Sequence, residues 1–487
     1  MATHHGNAVS IEQIKRKSLN GVLSFFLRTL LLQAIAFASA LVLSAFFMPE
    51  DFAVFGIVTQ VIALLVFFSD IGLAAALIQK KEAPSDDDYK TAFSVQQLLS
   101  WLIFGIVLLL TQVEWIGARI GAEGNWILLA LGLSFPLATL KTISSIKLER
   151  KLDFNKLVLP QIFEQLVFHG LLIMLAWRGY GLTAYVYAIV ARSLIGVVVI
   201  QILEPWLPRL GIKLAALRGL IGFGVKFQLN DLLARIKDQL YFLFLGFFLP
   251  LRDFGYLQWA KNWSMYPYNL TVQNVLAITF PTFSRLQEHP DLLRKAIEKS
   301  IYFISLCIFP ILVGMSAFVF PLTVLVPAYA KWQPALLSFV LFSLSIAWSA
   351  ISTPLINSLN AMGKINQTLK LMVMWTSLTW LLTPLLVWKF AFNGVALAAF
   401  LISWTSVLSV WMIRRYLPVD VWRSTYAQLA ASALMAVAAW LGMSWWQQSF
   451  SYLFAGGLLS ALVYAASFLV FDRRRVWGEL ASLRRHL

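Results

Sequence analysis

The sequence predicts an all-α polytopic membrane protein of about fourteen transmembrane helices. These form two six-helix lobes related by a parallel internal repeat, plus two C-terminal helices. Three observations predict this. Of the 487 residues, 60% are hydrophobic and only 13% charged, whereas a soluble domain carries about 25% charged residues; no water-soluble packing hides so much apolar surface. The apolar residues gather into runs of the length a bilayer needs, about 20 residues for each helix. Lysine and arginine collect on alternate connections between those runs.

Taken in order, the runs lie near 22–47, 53–79, 91–113, 126–146, 157–178, 181–204, 220–249, 255–284, 300–326, 333–361, 367–388, 393–413, 424–446 and 452–471. The first is too long for a signal-peptide core and follows a polar segment, 1–21, so it reads as a retained span. With that segment placed inside, the inside connections carry 28 Lys and Arg and the outside ones 5. This bias sets both termini in the cytoplasm. Residues 22–204 then form the N-lobe, 205–219 a cytoplasmic linker, 220–413 the C-lobe and 414–471 two additional spans. Residues 472–487 form a basic cytoplasmic tail, whose Arg473–Arg475 read as an inner-leaflet anchor. Trp101, Trp177, Trp388 and Trp446, near span ends, fit interfacial belts.

The formal net charge of +16 invites a nucleic-acid partner, but its distribution excludes one. The inside connections hold about +14, the outside ones 0 and the spans +2, so most of the basicity is topology. The single cysteine, Cys307, lies in an apolar run and reads as a small buried hydrophobe; it can form no intramolecular disulfide. The five histidines show no ligand spacing, so no metal, cofactor or catalytic residue is expected. The longest outside connection is about a dozen residues around Glu114–Asn125. That disfavours a membrane glycosyltransferase or sugar polymerase, which needs a large external loop bearing catalytic groups.

Internal repeats support the two lobes. FFMPEDF at 46–52 joins the first two spans, and FFLPLRDF at 247–254 joins the seventh and eighth. Lys151-Leu-Asp matches Lys364-Ile-Asn, and Gly181-Leu-Thr-Ala matches Gly394-Val-Ala-Leu, both 213 residues apart. Six spans separate the copies, so both run the same way through the bilayer. Parallel repeats are a transporter architecture, with substrate bound between the repeats.

IKRKSLNG at 14–21, EDFAVFGIVTQVI at 50–62, SDIGLAAALIQKKE at 69–82, KLERKLDF at 147–154 and FPTFSRLQ at 280–287 carry a family resemblance. The chain resembles the multidrug/oligosaccharidyl-lipid/polysaccharide exporter superfamily, in its polysaccharide-transporter branch, the Wzx-type oligosaccharide flippases. The resemblance covers roughly residues 14–415. It implies two lobes forming a V, with spans one, two, seven and eight lining a central cavity. The implied activity is movement of polyprenyl-diphosphate-linked oligosaccharide to the outer leaflet of a bacterial inner membrane. Implied partners are that lipid-linked sugar, membrane lipids and the polysaccharide polymerase and chain-length machinery. The alternative within the superfamily is an ion-coupled exporter of small amphipathic molecules.

Ten charges fall within spans: Arg28, Arg192, Lys226, Arg235, Lys237 and Lys261, with Asp70, Glu164, Asp231 and Asp238. Each would cost about 2.5–3.5 kcal/mol if it faced lipid at mid-bilayer, so they are expected to face a wet cavity or one another. A diphosphate cannot cross hydrocarbon unpaired, and arginine and lysine are suited to its oxygens. The candidates for diphosphate and sugar binding are Arg28, Arg235, Lys237, Lys261, Asn262 and Asn269. Asp70 and Asp231 are candidate ion-coupling carboxylates, with helix packing as the other reading. Glu164 and Arg192, on adjacent spans, are a candidate structural ion pair; Arg235 has the same option with Asp231 or Asp238, and Lys226 reads as snorkelling to the cytoplasmic face. On span eight, Gln258, Asn262, Tyr266, Asn269 and Gln273 form a polar stripe beside Pro267, an expected kink. Trp259 and Trp263 are further candidates, for stacking on sugar.

Overall fold

A backbone that crosses hydrocarbon must satisfy its own hydrogen bonds, and among the described residues every regular element is helical. The structure is a computed structural model that describes residues 11–70, 72–80, 82–218 and 240–473, with side chains from residue 28 onward apart from 67, 277 and 278. The chain divides into two compact units, 1–251 and 252–487. Helix order in the first is α1 (Ile11–Phe46), α2 (Pro49–Leu65), a 3-10 turn (Val66–Ser69), α3 (Leu73–Gln79), α4 (Asp86–Leu110), α5 (Glu114–Arg150), α6 (Phe154–Trp177) and α7 (Thr183–Leu203). Residues 240–248 are also helical. The second unit holds α8 (Leu251–Arg285), α9 (Pro290–Leu325), a 3-10 stretch (Pro327–Ala335), α10 (Leu336–Ala361), α11 (Ile365–Phe390) and α12 (Asn393–Trp404). It ends with α13 (Val407–Arg414), α14 (Val421–Leu441), a short α15 (Met443–Trp446) and α16 (Phe450–Phe471).

Eleven of the described helical stretches are long and apolar enough to cross a membrane. The other three expected spans depart for separate reasons. Most of the seventh lies outside the described residues. The eighth is a 35-residue helix, α8, whose polar stripe lowers its hydropathy; it runs on through Pro267. The second is interrupted, where the sequence suggests one run over 53–79. Its helix α2 has 17 residues and gives way to the 3-10 turn; Gly72, at φ 76°, then opens α3. Asp70 lies in that break. In α5 a second glycine with positive φ, Gly121 at 71°, interrupts the helix before its apolar part begins.

The short sequence echoes do not all share one register in the structure. Asp51 and Asp253 are each the third residue of their helix, α2 and α8. The Lys151-Leu-Asp echo is two residues out of step. Positive φ falls at Leu152 in one turn and Gly363 in the other, and these are 211 residues apart. The Asp51 carboxylate accepts the Met48 N–H at 2.8 Å, closing the first turn of α2. Asp51→Ala is expected to cost about 1 kcal/mol. A melting temperature of the detergent-solubilised protein lowered by more than about 8 °C would show that Asp51 does more than cap.

Two arginines fasten the first unit. At the end of α5, Arg150 Nη1 donates to the carbonyls of Leu77 (2.8 Å), Ile78 (3.0 Å) and Lys80 (2.9 Å), and Nη2 to that of Glu82 (3.1 Å). One side chain thus satisfies two of the carbonyls that helix α3 leaves open and two of the loop beyond it. Arg119, expected in an outside loop, donates from Nε (2.9 Å) and Nη2 (2.7 Å) to Gly246 O, and from Nη2 also to Leu249 O. Trp115 stacks on Phe247 beside it, with centroids 4.3 Å apart. Residues 240–251 are thereby held in the first unit.

In the second unit, the two additional helices pack on α9 and on each other. Tyr464 of α16 donates to Leu306 O at 2.9 Å. Trp101, Trp177 and Trp388 are exposed, but Trp446 is buried, which corrects its assignment to an interfacial belt. Its ring sits where a Cβ on Gly442 or Gly456 would stand, and its Nε1 donates to Ala439 O at 2.8 Å. Cys307 is exposed on α9, not buried as its apolar surroundings suggest. A membrane helix can be apolar on its outer face as well as its inner one, so an apolar run does not distinguish core from lipid.

Candidate functional site

The first unit contains two adjoining cavities of about 300 and 270 Å³ that share Lys141, Glu164 and Arg192 in their walls. Helix periodicity explains how these side chains meet. On α5, Leu131, Ser134, Ala138, Lys141 and Ser145 recur at spacings of three and four, which is one helix face. On α6, Leu157, Gln161 and Glu164 do the same. Packing of α6 and of α5 on α7 brings both faces to Arg192. The first cavity adds Leu32, Gln161 and Gln165; the second adds Ser134, Ile189 and Ser193.

Glu164 is the centre of the cluster. It is 8% exposed, with Oε1 at 2.5 Å from Lys141 Nζ and Oε2 at 3.9 Å from Arg192 Nε. Its carboxylate lies against the α7 backbone at Gly196, where any Cβ would overlap it. Arg192 is the looser partner: its side chain is 42% exposed and its guanidinium lies 5.6 Å from the Phe168 ring centroid. One turn before Glu164, Gln161 Oε1 accepts from Arg28 Nη1 at 2.8 Å, so α1 contributes a third cation beside the first cavity. Two cations thus face one carboxylate, and a third, Arg28, stands one helical turn away on Gln161. Such a surplus of charge inside an apolar helical unit is suited to an anionic ligand.

The structure distributes the remaining candidates. Asp70 is engaged at the start of α3: Oδ1 accepts the Ala74 N–H at 3.2 Å and a hydrogen from Gln96 Nε2. Lys261 and Asn269 on α8 are half-buried, and Asn262 is exposed. Lys226, Asp231, Arg235, Lys237 and Asp238 lie outside the described residues. Of the α8 stripe, Gln273 is exposed like Asn262, whereas Gln258 is buried in the second unit. Trp259 and Trp263 are 0% and 4% exposed. Trp259 stacks on Trp332 at 5.1 Å and meets Trp263 at 4.8 Å. Those tryptophans fill the core and offer no face to a sugar, which corrects the stacking expectation.

Lys141, Gln161 and Gly196 are site residues that the sequence reading did not single out. Lys141 is counted there among the inside lysines, although it falls before the end of its run at 146. The small and polar residues every three or four positions along α5 were the available signal. Nothing in the sequence marks Gly196, because its role depends on a carboxylate of another helix. Among the described residues no group of His, Cys, Asp and Glu is placed to hold a metal ion.

Comparison with known proteins bears on this arrangement. The profile of a family described as "Polysaccharide biosynthesis protein" matches residues 42–337. The succinoglycan biosynthesis transport protein ExoT of Rhizobium meliloti (strain 1021) is 20% identical over 305 residues, which are 61% of this chain and 60% of that protein. The teichuronic acid biosynthesis protein TuaB of Bacillus subtilis (strain 168) is 22% identical over 249 residues, 50% of this chain and 51% of that one. Each match therefore spans less than two thirds of the relative's length. Among solved structures, the lipid II flippase MurJ in an inward closed conformation superposes with a TM-score of 0.71 at 15% identity, covering 94% of this chain and all of that one. An inward-facing multidrug resistance MATE transporter gives 0.53 at 12% identity over 79% of this chain and 95% of that one. At such identities the likeness shows the fold: a polytopic helical architecture shared with flippases and MATE transporters.

Proposed function

The chain belongs to the polysaccharide biosynthesis protein family, and from that premise we propose that it is a flippase for a polyprenyl-diphosphate-linked oligosaccharide. It carries the repeat unit from the inner to the outer leaflet of the bacterial cytoplasmic membrane by alternating access. Polymerase and chain-length machinery on the far side consume what it delivers. The basic connections face the cytoplasm, where the lipid-linked sugar is loaded. The observation that carries this reading is the surplus of cations in the first unit's cavities: Lys141 and Arg192 pair with the single carboxylate Glu164, and Arg28 stands beside them on the cavity residue Gln161. A diphosphate needs such partners to leave the water, while the prenyl chain stays in lipid. Arg235, Lys237, Lys261, Asn262 and Asn269 are proposed as further contacts for the diphosphate and sugar. The names of ExoT and TuaB place those relatives in succinoglycan biosynthesis transport and in teichuronic acid biosynthesis, which agrees with this substrate class.

The test is a gene deletion followed by localisation of the lipid-linked sugar. Intermediates are expected to build up on the inner face and to be cleared by the wild type. Arg28→Ala and Lys261→Ala are each expected to clear them at least about tenfold more slowly, the rate equivalent of about 1.4 kcal/mol. Normal clearance by the double variant would remove the diphosphate role from both residues. The rival reading, export of small amphipathic cations, is opposed by the positive charge of the cavity. It predicts drug sensitivity on deletion with no sugar lipid retained.

A further inference from the structure

We infer that Glu164 is a built-in counter-ion that competes with the substrate's diphosphate for Lys141 and Arg192, and that its charge sets how readily the substrate leaves. This rests on the flippase reading and concerns a carboxylate to which that reading gives no task. The geometry separates Glu164 from an ordinary structural pair. A pair that only holds helices together gains most from close bidentate contact with its partner shielded from solvent. Here Lys141 is close, at 2.5 Å, but Arg192 stands 3.9 Å away with its side chain 42% exposed. An exposed contact of that length adds little to stability. Both cations also line both cavities, so the three side chains stand where the two spaces meet. An anion entering either space meets two cations already shared with a carboxylate.

The carboxylate itself has a made-to-measure seat. Gly196 leaves the α7 backbone bare at the point where the Glu164 oxygen rests. Glu164 therefore does not compete for space with a ligand in either cavity; it competes for charge. With Glu164 ionised, Lys141 and Arg192 keep a surplus of one positive charge. A diphosphate takes up that surplus and then feels repulsion from the fixed carboxylate beside it. Conduction through any such site requires binding that is favourable enough to enter and weak enough to leave. Glu164 supplies the second condition.

The experiment uses the full-length protein in neutral phosphatidylcholine nanodiscs, with farnesyl diphosphate and inorganic pyrophosphate as separate probes. Wild type is expected to bind the prenyl diphosphate, and Lys141→Gln and Arg192→Gln at least about tenfold more weakly. Glu164→Gln is expected to bind at least about tenfold more tightly, to release the probe more slowly and to transport more slowly in cells. Glu164→Asp keeps the charge but withdraws it by one methylene, and its affinity is expected between wild type and Glu164→Gln. A purely structural pair predicts the opposite sign, with both Glu164 variants binding equally or more weakly; that result would overturn the inference. Binding of pyrophosphate as tightly as of the prenyl diphosphate would assign the site to free anions. If no variant, wild type included, binds either probe, the flippase reading fails and the counter-ion role with it.

Discussion

Replacing Arg150 with alanine is expected to remove most of the folded protein from the membrane. Helix α3 has only seven residues, too few to hold a helix by themselves, yet it buries Leu73 and Leu77 completely. Its last carbonyls, and those of the loop beyond, are turned onto one guanidinium through four hydrogen bonds of 2.8–3.1 Å. Without it, those carbonyls must recover water by unwinding the end of α3, which draws Leu77 out of the core. The same loop carries the Lys80–Asp88 ion pair, at 2.6 Å, and Ser85, which accepts the Asp88 N–H to cap α4, so the damage spreads to a membrane helix. Hydrogen bonds from a charged donor contribute about 1.5–3 kcal/mol each, and four on one group do not add fully. A loss of about 3–5 kcal/mol follows. Arg150→Lys keeps the charge, but its shorter side chain must place one ammonium where Nη1 gathers the Leu77, Ile78 and Lys80 carbonyls and has no second nitrogen for Glu82; it is expected to recover only part of the loss. The measurements are membrane abundance and thermal unfolding followed by size-exclusion chromatography. Wild-type abundance for Arg150→Ala would show that α3 closes without it.

Which parts of this arrangement were legible in the sequence follows from what hydropathy can measure. Runs near 157–178, 181–204 and 452–471 became Phe154–Trp177, Thr183–Leu203 and Phe450–Phe471, because hydrocarbon imposes both the length and the internal bonding of a span. The break in the second span was not legible. Gly72 and Asp70 interrupt an apolar stretch too briefly to lower its average, and only a positive φ at Gly72 reveals the turn. Faces were legible even less well. Along α8 the residues Trp259 and Trp263 adjoin Asn262 and Tyr266 on the helix circumference, so spacing alone did not separate the buried side from the exposed one. The choice came from Trp332 and Phe339, which lie far along the chain. The same applies to Cys307, where lipid and protein core select for the same side-chain chemistry.

Arg150 and Arg119 illustrate a further limit. Counting charges places a residue on a side of the membrane, but it does not say whether that residue is there for orientation or for structure. By that count Arg150 falls on the inside and Arg119 on the outside. Both instead satisfy helix-end carbonyls of segments some 70 and 130 residues away. Lys141 belongs with them: it adds to the charge count, yet it is half-buried against Glu164. The net charge in the spans therefore understated the positive character of the first unit's cavities by one.

Gly196→Ala is expected to be the most damaging single methyl that can be added to α7. The new Cβ would occupy the position of the Glu164 carboxylate, and that carboxylate cannot retreat without leaving Lys141. Overpacking of this kind costs about 1–3 kcal/mol. Separating a buried carboxylate from its cation adds to that, since an uncompensated charge remains inside the unit. Transport is expected to fall at least tenfold at temperatures where the variant is still folded, because Lys141 loses the carboxylate that fixes it in the walls of both cavities. The steric part of the effect has a separable signature. Glu164→Ala removes the atoms with which the new methyl collides, so the double variant Gly196→Ala/Glu164→Ala should be more stable than the sum of the two single losses predicts, by about 1–2 kcal/mol. A double-mutant cycle on thermal unfolding in detergent measures this coupling. Simple additivity would mean that the Glu164 carboxylate does not rest on Gly196. Strong coupling in stability without recovery of transport is the expected result, since the double variant restores packing but leaves the two cations without the charge that holds them apart from each substrate.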